Sequence, residues 1–302
     1  MRVIRAEVLG MCFGVRDALQ ILAEVKSPTD VTIHGELVHN ETVIAELGKR
    51  GFQMVKETAR RPLPVTDTVL ITAHGVSDRE RQRLEAAGKQ LVDTTCPLVQ
   101  RAHDAAQKLQ RDGYHVLLIG RRGHVEVQGI IEDLASFDVI QTPDEVRRYS
   151  HTKLGIMCQT TSPARLVQQI RDAVAQQNPH AAIRFIDTVC HPTKDHQKAL
   201  EALLEQVEAV VVVGGRNSNN TRELVARCRE KGVTAFHIQS AKDLDPAWFA
   251  GLETVGLTAG TSTLDATIEE VQRALHALPR SMAPQPDAQA AVGVLVYASG
   301  PT

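Results

Sequence analysis

Three cysteines stand at equivalent places in three similar stretches of chain, and this internal repeat limits the fold more than any other feature. Cys96 lies in Leu91-Val-Asp-Thr-Thr-Cys-Pro and Cys190 in Phe185-Ile-Asp-Thr-Val-Cys-His-Pro. Each is an apolar run, then Asp-Thr-x-Cys, then a turn. Cys12 ends a similar run, Val3 to Leu9, in Gly10-Met-Cys-Phe-Gly. The spacings are 84 residues (96 − 12) and 94 residues (190 − 96), each the size of a small domain.

The pattern continues in register. After the cysteines, Val15, Ala18, Leu19 and Leu22, then Val99, Ala102, Ala106 and Leu109, then Ala199, Leu200, Leu203 and Leu204 fall on single helical faces. Short apolar runs follow at 31–33, 116–119 and 210–213, as suits parallel strands covered on both faces. A polar loop follows each run and carries His39, His124 or Ser218. A second polar loop recurs after strands near 68–72, 153–157 and 254–258. It carries His74 in Thr72-Ala-His-Gly, Thr160 in Gln159-Thr-Thr-Ser, and Ser262 in Ala259-Gly-Thr-Ser.

Alternating strands and helices imply parallel α/β sheets, whose ligands bind at the carboxyl ends of the strands. The cysteines and the polar loops all fall at those ends. The expected architecture is therefore three similar parallel-sheet α/β units around a pseudo-threefold axis with a central cavity. The units are 1–95, 96–189 and 190–280, with a loose tail over 281–302 in which Val292 to Tyr297 could dock. The third unit lacks a closing strand, and the N-terminal strand within 1–11 could supply it.

Composition narrows the function. Acidic and basic residues nearly balance, at a net charge of -2, and aromatics are 3%, which argues against a nucleic-acid partner. The longest strongly apolar runs are about five residues, far short of a membrane span. The first residues read as lacking a secretory leader, so a cytoplasmic location is expected. Five cysteines in such a chain favour metal binding or catalysis over a disulfide framework. Cys158 and Cys228 have no counterparts in the other units and read as core residues.

Three convergent thiols could be small buried side chains, but their matching loop positions favour a metal. Thiolates select zinc or iron–sulfur clusters, and three of them leave one position open for substrate. The polar loops add His39, His74, His124, Thr160, Ser218, Asn220 and Ser262, mostly neutral donors suited to a phosphate or diphosphate. Glu126, in Gly123-His-Val-Glu, is the one acid that stands out there and could deliver a proton. Arg121 and Arg122 read as solvated loop charges. Three functions stay open on these residues: a reductive enzyme, a zinc hydrolase using Glu126 to activate water, and a non-enzymatic iron–sulfur sensor.

The sequence also resembles the 4-hydroxy-3-methylbut-2-enyl diphosphate reductase (LytB/IspH) family over about residues 1–280. The resemblance rests on Gly10-x-Cys12-x-Gly14-Val, Val38-His-Asn, Ala73-His-Gly-Val, Thr95-Cys-Pro-Leu-Val, Gly123-His-x-Glu-Val-x-Gly, Gln159-Thr-Thr, Asn217-Ser-x-Asn and Thr258-Ala-Gly-x-Ser. It implies a [4Fe–4S] cluster on Cys12, Cys96 and Cys190 with one iron open to the substrate. It implies that His39, His74, His124, Ser218, Asn220 and Ser262 hold a diphosphate, and that Glu126, with Thr160, relays protons. It implies conversion of the hydroxylated diphosphate to isopentenyl and dimethylallyl diphosphates, with electrons from ferredoxin or flavodoxin. Three positions depart from the family pattern: Val125 stands for a usual proline, Asn219 for a hydroxyl that often meets diphosphate, and His196 for a common arginine.

Overall fold

Runs of β-branched residues form the central strands because both faces of each can be buried. In Ala209–Val213, Val210 and Val212 enter one apolar cluster and Val211 and Val213 another on the opposite face. In His115–Ile119, Leu117 and Ile119 pack on one side, and Val116 and Leu118 on the other. In Thr68–Ile71, Leu70 faces one cluster, and Val69 and Ile71 the other.

The computed structural model describes residues 1–60 and 62–278. The tail expected over 281–302 lies outside the described residues. Within them the strands form three four-stranded sheets in which every pairing is parallel. Labelled in chain order, the first sheet holds β2 (Val31–His34), β3 (Gln53–Val55), β4 (Thr68–Ile71) and β5 (Gln90–Asp93), ordered β3-β2-β4-β5. The second holds β6 (His115–Ile119), β7 (Phe137–Ile140), β8 (Lys153–Cys158) and β9 (Ala182–Phe185), ordered β7-β6-β8-β9. The third holds β10 (Ala209–Val213), β11 (Thr234–Ile238) and β12 (Thr254–Ala259), with β1 (Arg2–Arg5) at its edge, ordered β1-β12-β10-β11. Thus β1 takes beside β12 the place that β5 takes beside β4 and β9 beside β8. The three-sheet α/β architecture is the one the repeat predicts.

The first strand is shorter than the run Val3 to Leu9 suggests. The chain bends at residues 7–8 and then returns to the end of β12, where Gly10 N–H donates to the Ala259 carbonyl at 3.3 Å. That bend sets the loop that carries Cys12.

Helices follow the cysteines: α1 (Phe13–Ala23), α4 (Pro97–Arg111) and α7 (His191–Leu204). Others follow the polar loops: α2 (Glu41–Lys49), α5 (Val125–Ile131) and α8 (Asn219–Glu230), then α3 (Asp78–Ala86), α6 (Ala164–Gln177) and α9 (Asp265–Ala277). The units meet through polar contacts. Asp133 accepts from the Asp78 and Arg79 backbone N–H groups, Arg165 pairs with Glu230, and Arg16 pairs with Asp265. Among the described residues no helix is long and apolar enough to cross a membrane.

Candidate active site

The three cysteines are held in the same way. Each is the N-cap residue of its helix, α1, α4 or α7. Each backbone N–H donates to a carbonyl of a second polar loop: Cys96 to Ala73 at 3.1 Å, Cys190 to Thr160 at 2.9 Å, and Cys12 to Thr261 at 3.0 Å. For Cys12 that loop belongs to the third sheet, because β1 does. The repeat therefore closes on itself and brings the three thiols to one cavity, which all three line. Burial raises the pKa of each thiol, that of Cys190 to about 11. Nearby charge raises them further: Cys96 acts on Cys12, and Glu126 on Cys96 and Cys190. Three thiols so placed ionise together only with a cation between them.

Glu126 sits in the first turn of α5, is 1% exposed, and lines the same cavity. Thr160 holds it twice. Thr160 N–H donates to Oε1 at 2.6 Å, and its hydroxyl donates to Oε2 at 2.8 Å. Burial lifts the carboxyl pKa to about 7 against these two bonds. Near neutral pH this acid holds a proton and can give it up, which is what a general acid requires.

Three histidines that line the cavity touch one another. His39 and His74 stack at 4.4 Å between ring centroids, and His124 meets them edge-on at 5.2 and 5.7 Å. Glu126 N–H donates to His124 Nδ1, so the proton of the neutral ring is on Nε2. Burial takes the pKa of His124 down to about 3 and that of His74 well below the usual range. Both are neutral donors. His39 Nδ1 bonds to Glu36 Oε2 at 2.9 Å, and this bond lowers the Glu36 pKa.

Ser218 is the N-cap of α8 and accepts from Thr221 N–H, which leaves its own proton to give. Asn220 Nδ2 is buried without a partner, a donor awaiting an acceptor. Ser262 Oγ donates weakly to the His39 carbonyl at 3.4 Å. Asn219 donates to Thr161 Oγ at 3.0 Å and still borders the cavity. Thus Cys12, Cys96, Cys190, His39, His74, His124, Glu126, Thr160, Ser218, Asn219, Asn220 and Ser262 are all brought to one place.

Cys158 and Cys228 are fully buried in apolar clusters. Arg122 pairs with Glu145, while Arg121 lines a neighbouring cleft. Val125 is the first residue of α5, a place where the helix geometry would also suit proline. Several cavity residues escaped sequence reasoning. Thr193 takes a hydrogen bond from Cys190 Sγ at 3.0 Å, and a hydroxyl three residues into a helix gave no signal of this. Gly14 faces Cys96, and a Cβ there would lie 2.5 Å from its sulfur. Its place in Gly10-x-Cys12-x-Gly14 was visible, but the close approach was not.

Fold and cavity together define a class: an internally triplicated α/β protein whose three equivalent thiols meet in one cavity with histidines, hydroxyls and a buried carboxyl. The chain belongs to the LytB protein family, whose model matches residues 3–276. It is 34% identical over 278 residues to a 4-hydroxy-3-methylbut-2-enyl diphosphate reductase of Anaeromyxobacter sp. (strain K), covering 90% of this chain and 98% of that one. It is 31% identical over 277 residues to the protein of the same name from Aquifex aeolicus, covering 89% and 94%. A solved structure of (E)-4-hydroxy-3-methyl-but-2-enyl diphosphate reductase, the terminal enzyme of the non-mevalonate pathway, is 30% identical, with a TM-score of 0.63 over 91% of this chain and 99% of that one. The Plasmodium falciparum reductase structure shares the fold, with a TM-score of 0.82 at 24% identity over 93% and 90%.

The family implies an iron–sulfur cofactor, and the residues present fit one. Three soft sulfur ligands converge, and the absent side chain of Gly14 leaves the space beside Cys96 that any larger residue would fill.

Proposed function

We propose that this chain is a 4-hydroxy-3-methylbut-2-enyl diphosphate reductase, the last step of the methylerythritol phosphate route to isoprenoids. The substrate takes up two electrons and two protons, its allylic C–O bond breaks, and water leaves. The products are isopentenyl diphosphate and dimethylallyl diphosphate. The observation that carries this reading is the meeting of three equivalent thiols with a proton-holding Glu126 and an array of neutral donors in one cavity.

Cys12, Cys96 and Cys190 would hold a [4Fe–4S] cluster with one iron open, and when bound it supplies single electrons and a Lewis acid. The remaining work belongs to the protein. His39, His74, His124, Ser218, Asn219, Asn220 and Ser262 bind the diphosphate. The neutral donors among them satisfy phosphate oxygens without a buried charge of their own, and His39, whose Nδ1 faces the Glu36 carboxylate, gives a proton from Nε2 only as the imidazolium. Anchoring the diphosphate fixes where the allylic end lies, which converts binding energy into orientation. Glu126 delivers a proton to the departing oxygen, and Thr160 fixes the carboxyl and stands beside the hydroxyl.

The electrons come from a ferredoxin or flavodoxin, and ultimately from NAD(P)H. A cleft between the second and third units supports a small acidic carrier. Arg121, Arg216, Arg222 and Arg229 line it with Glu223, and among the described residues none of the four arginines is in a salt bridge. Asn219 borders both this cleft and the cavity, so the two are separated by little more than one residue. We assign the protein to the cytoplasm, which suits five free thiols, and divide it at the cysteines into units 1–95, 96–189 and 190–280.

Anaerobic purification with iron, sulfide and zinc quantified, then turnover of the hydroxylated C5 diphosphate, tests the proposal. It expects close to four irons and four sulfides per chain and formation of both products. Zinc without sulfide, or a fully loaded protein that forms neither product, overturns it.

A further inference from the structure

Glu57 starts a 3-10 turn (Glu57–Ala59) in the first unit, after β3. Its Oε1 is buried and has no hydrogen-bond partner. His74 Nδ1 is buried and unpartnered as well. One potential ligand atom each from His39, Glu57 and His74 lie within 4.8 Å of one another. Buried polar atoms left without partners are costly, and two of them side by side point to something that would satisfy both.

Glu36 serves all three residues. Its carboxylate takes the Nδ1 side of His39 at 2.9 Å, which leaves the Nε2 lone pair of that ring free. Its backbone lies close to both His74 and Glu57. A carboxylate behind a ligating imidazole orients metal-binding histidines and makes them more basic. Two imidazoles and one carboxylate select zinc and similar transition metals, and three protein ligands leave a further position open. The charges facing the site are Glu57 and Glu36 against Arg60, a net attraction for a dication. Glu57 also lines a cleft between the first and second units with Arg60, Glu80 and Glu132, which gives an ion a way in from solvent.

We propose that His39, Glu57 and His74 form a divalent transition-metal site of the zinc type, and that its occupancy excludes the diphosphate from the cavity. The exclusion rests on the diphosphate reading given above. A ring nitrogen that gives its lone pair to a metal carries no proton to give to a phosphate oxygen. His39 and His74 can therefore serve the metal or the anion through those atoms, not both. The site is a brake on the enzyme, read by free zinc.

The test uses iron–sulfur-loaded protein, so that Cys12, Cys96 and Cys190 are engaged. Titration with zinc should show one bound equivalent. Zinc-edge X-ray absorption should show nitrogen and oxygen neighbours at about 2.0–2.1 Å and no sulfur at about 2.3 Å. Glu57→Gln should weaken zinc binding by roughly tenfold or more, and Glu36→Gln, removing the support of His39, by about 10–100-fold. Zinc-free turnover of Glu57→Gln should stay near that of the unmodified protein. Sulfur in the zinc shell, or unchanged affinity in both variants, overturns the site. With free zinc fixed by a metal-ion buffer, inorganic diphosphate should lower zinc occupancy of the site, and independent binding of the two, or a ternary complex with diphosphate on the metal, overturns the exclusion. Zinc binding needs no turnover, so failure of the reductase reading shows separately, in product formation without zinc.

Discussion

His196 and Gly10 are 186 residues apart in sequence, yet His196 Nε2 lies 3.0 Å from the Gly10 carbonyl. The other ring nitrogen, Nδ1, lies 2.7 Å from the Pro192 carbonyl in the same helix. His196 thus ties α7, which starts at Cys190, to the loop that carries Cys12. Removing it strands a buried acceptor beside one thiol. His196→Leu should lose about 1–3 kcal/mol of stability. It should also release iron faster in air. His196→Arg, which keeps donors, should lose less. Thermal melting and timed iron retention check this, and wild-type behaviour of His196→Leu would show the tie to be idle.

Glu126→Gln should retain the cofactor and lose turnover by about 10²-fold or more, since a proton donor is gone. A stability readout accompanies this. The buried carboxyl titrates at about 7, well above its ordinary value of 4.5. Between those values the unfolded chain ionises while the folded one stays protonated, so folding weakens as pH rises and the loss levels off above 7. In cofactor-free protein, wild type should lose up to about 3 kcal/mol relative to Glu126→Gln between pH 4.5 and 8. Denaturant melts at several pH values check it, and parallel curves would remove the perturbed titration.

Gly14→Ala puts a methyl group 2.5 Å from Cys96 Sγ and 3.1 Å from its Cβ. One of the two must move. The variant should fold, as judged by circular dichroism, and hold less than half the wild-type iron and sulfide after reconstitution. Full loading would mean that the α1 terminus yields without cost.

Arg222→Glu and Arg229→Glu reverse charge in the cleft beside Asn219. Turnover driven by an acidic protein donor should fall by roughly tenfold, and less so at high salt. Turnover with dithionite should stay the same. Equal losses with both reductants would place the defect in the cavity instead.

Burial lowers the pKa of His34, His103 and His115 below the ordinary 6.5. Below 6.5 the unfolded chain takes up protons that these folded side chains refuse, so stability present above that pH is lost as it falls. Cofactor-free Glu126→Gln protein, in which the opposing Glu126 titration is gone, should melt progressively lower from pH 7 to pH 5. A melting temperature that rises or stays flat over this range would contradict it.

Much of the architecture was legible because one motif was written three times. A strand, a cysteine and a helix must place the thiol at the carboxyl end of a parallel sheet, so the positions of Cys12, Cys96 and Cys190 followed from chain order alone. The same logic reached His39, His74, His124, Thr160, Ser218 and Ser262. Glu57 was illegible because it starts a 3-10 turn after β3, outside the loops that carry the other residues, and the matching turns Pro143–Glu145 and Ala241–Asp243 bring nothing to the cavity. Glu36 was illegible for another reason. It reaches His39 through its side chain, and no acid stands three residues before His124 or Ser218 to mark the position by repetition. His196 looked like a mere departure until its partner proved to be a carbonyl on the far side of the chain.

The pairing of Arg2 with Thr254 and Arg5 with Leu257 sets the timing of assembly. On the ribosome, β1 emerges first and waits unpaired while more than two hundred residues are added. Cys12 finds its backbone partner, Thr261, only after β12 has been made. The three thiols are therefore gathered only after β12 has been made. A chain truncated by proteolysis or premature termination before β12 would carry all three sulfurs and still lack the means to gather them.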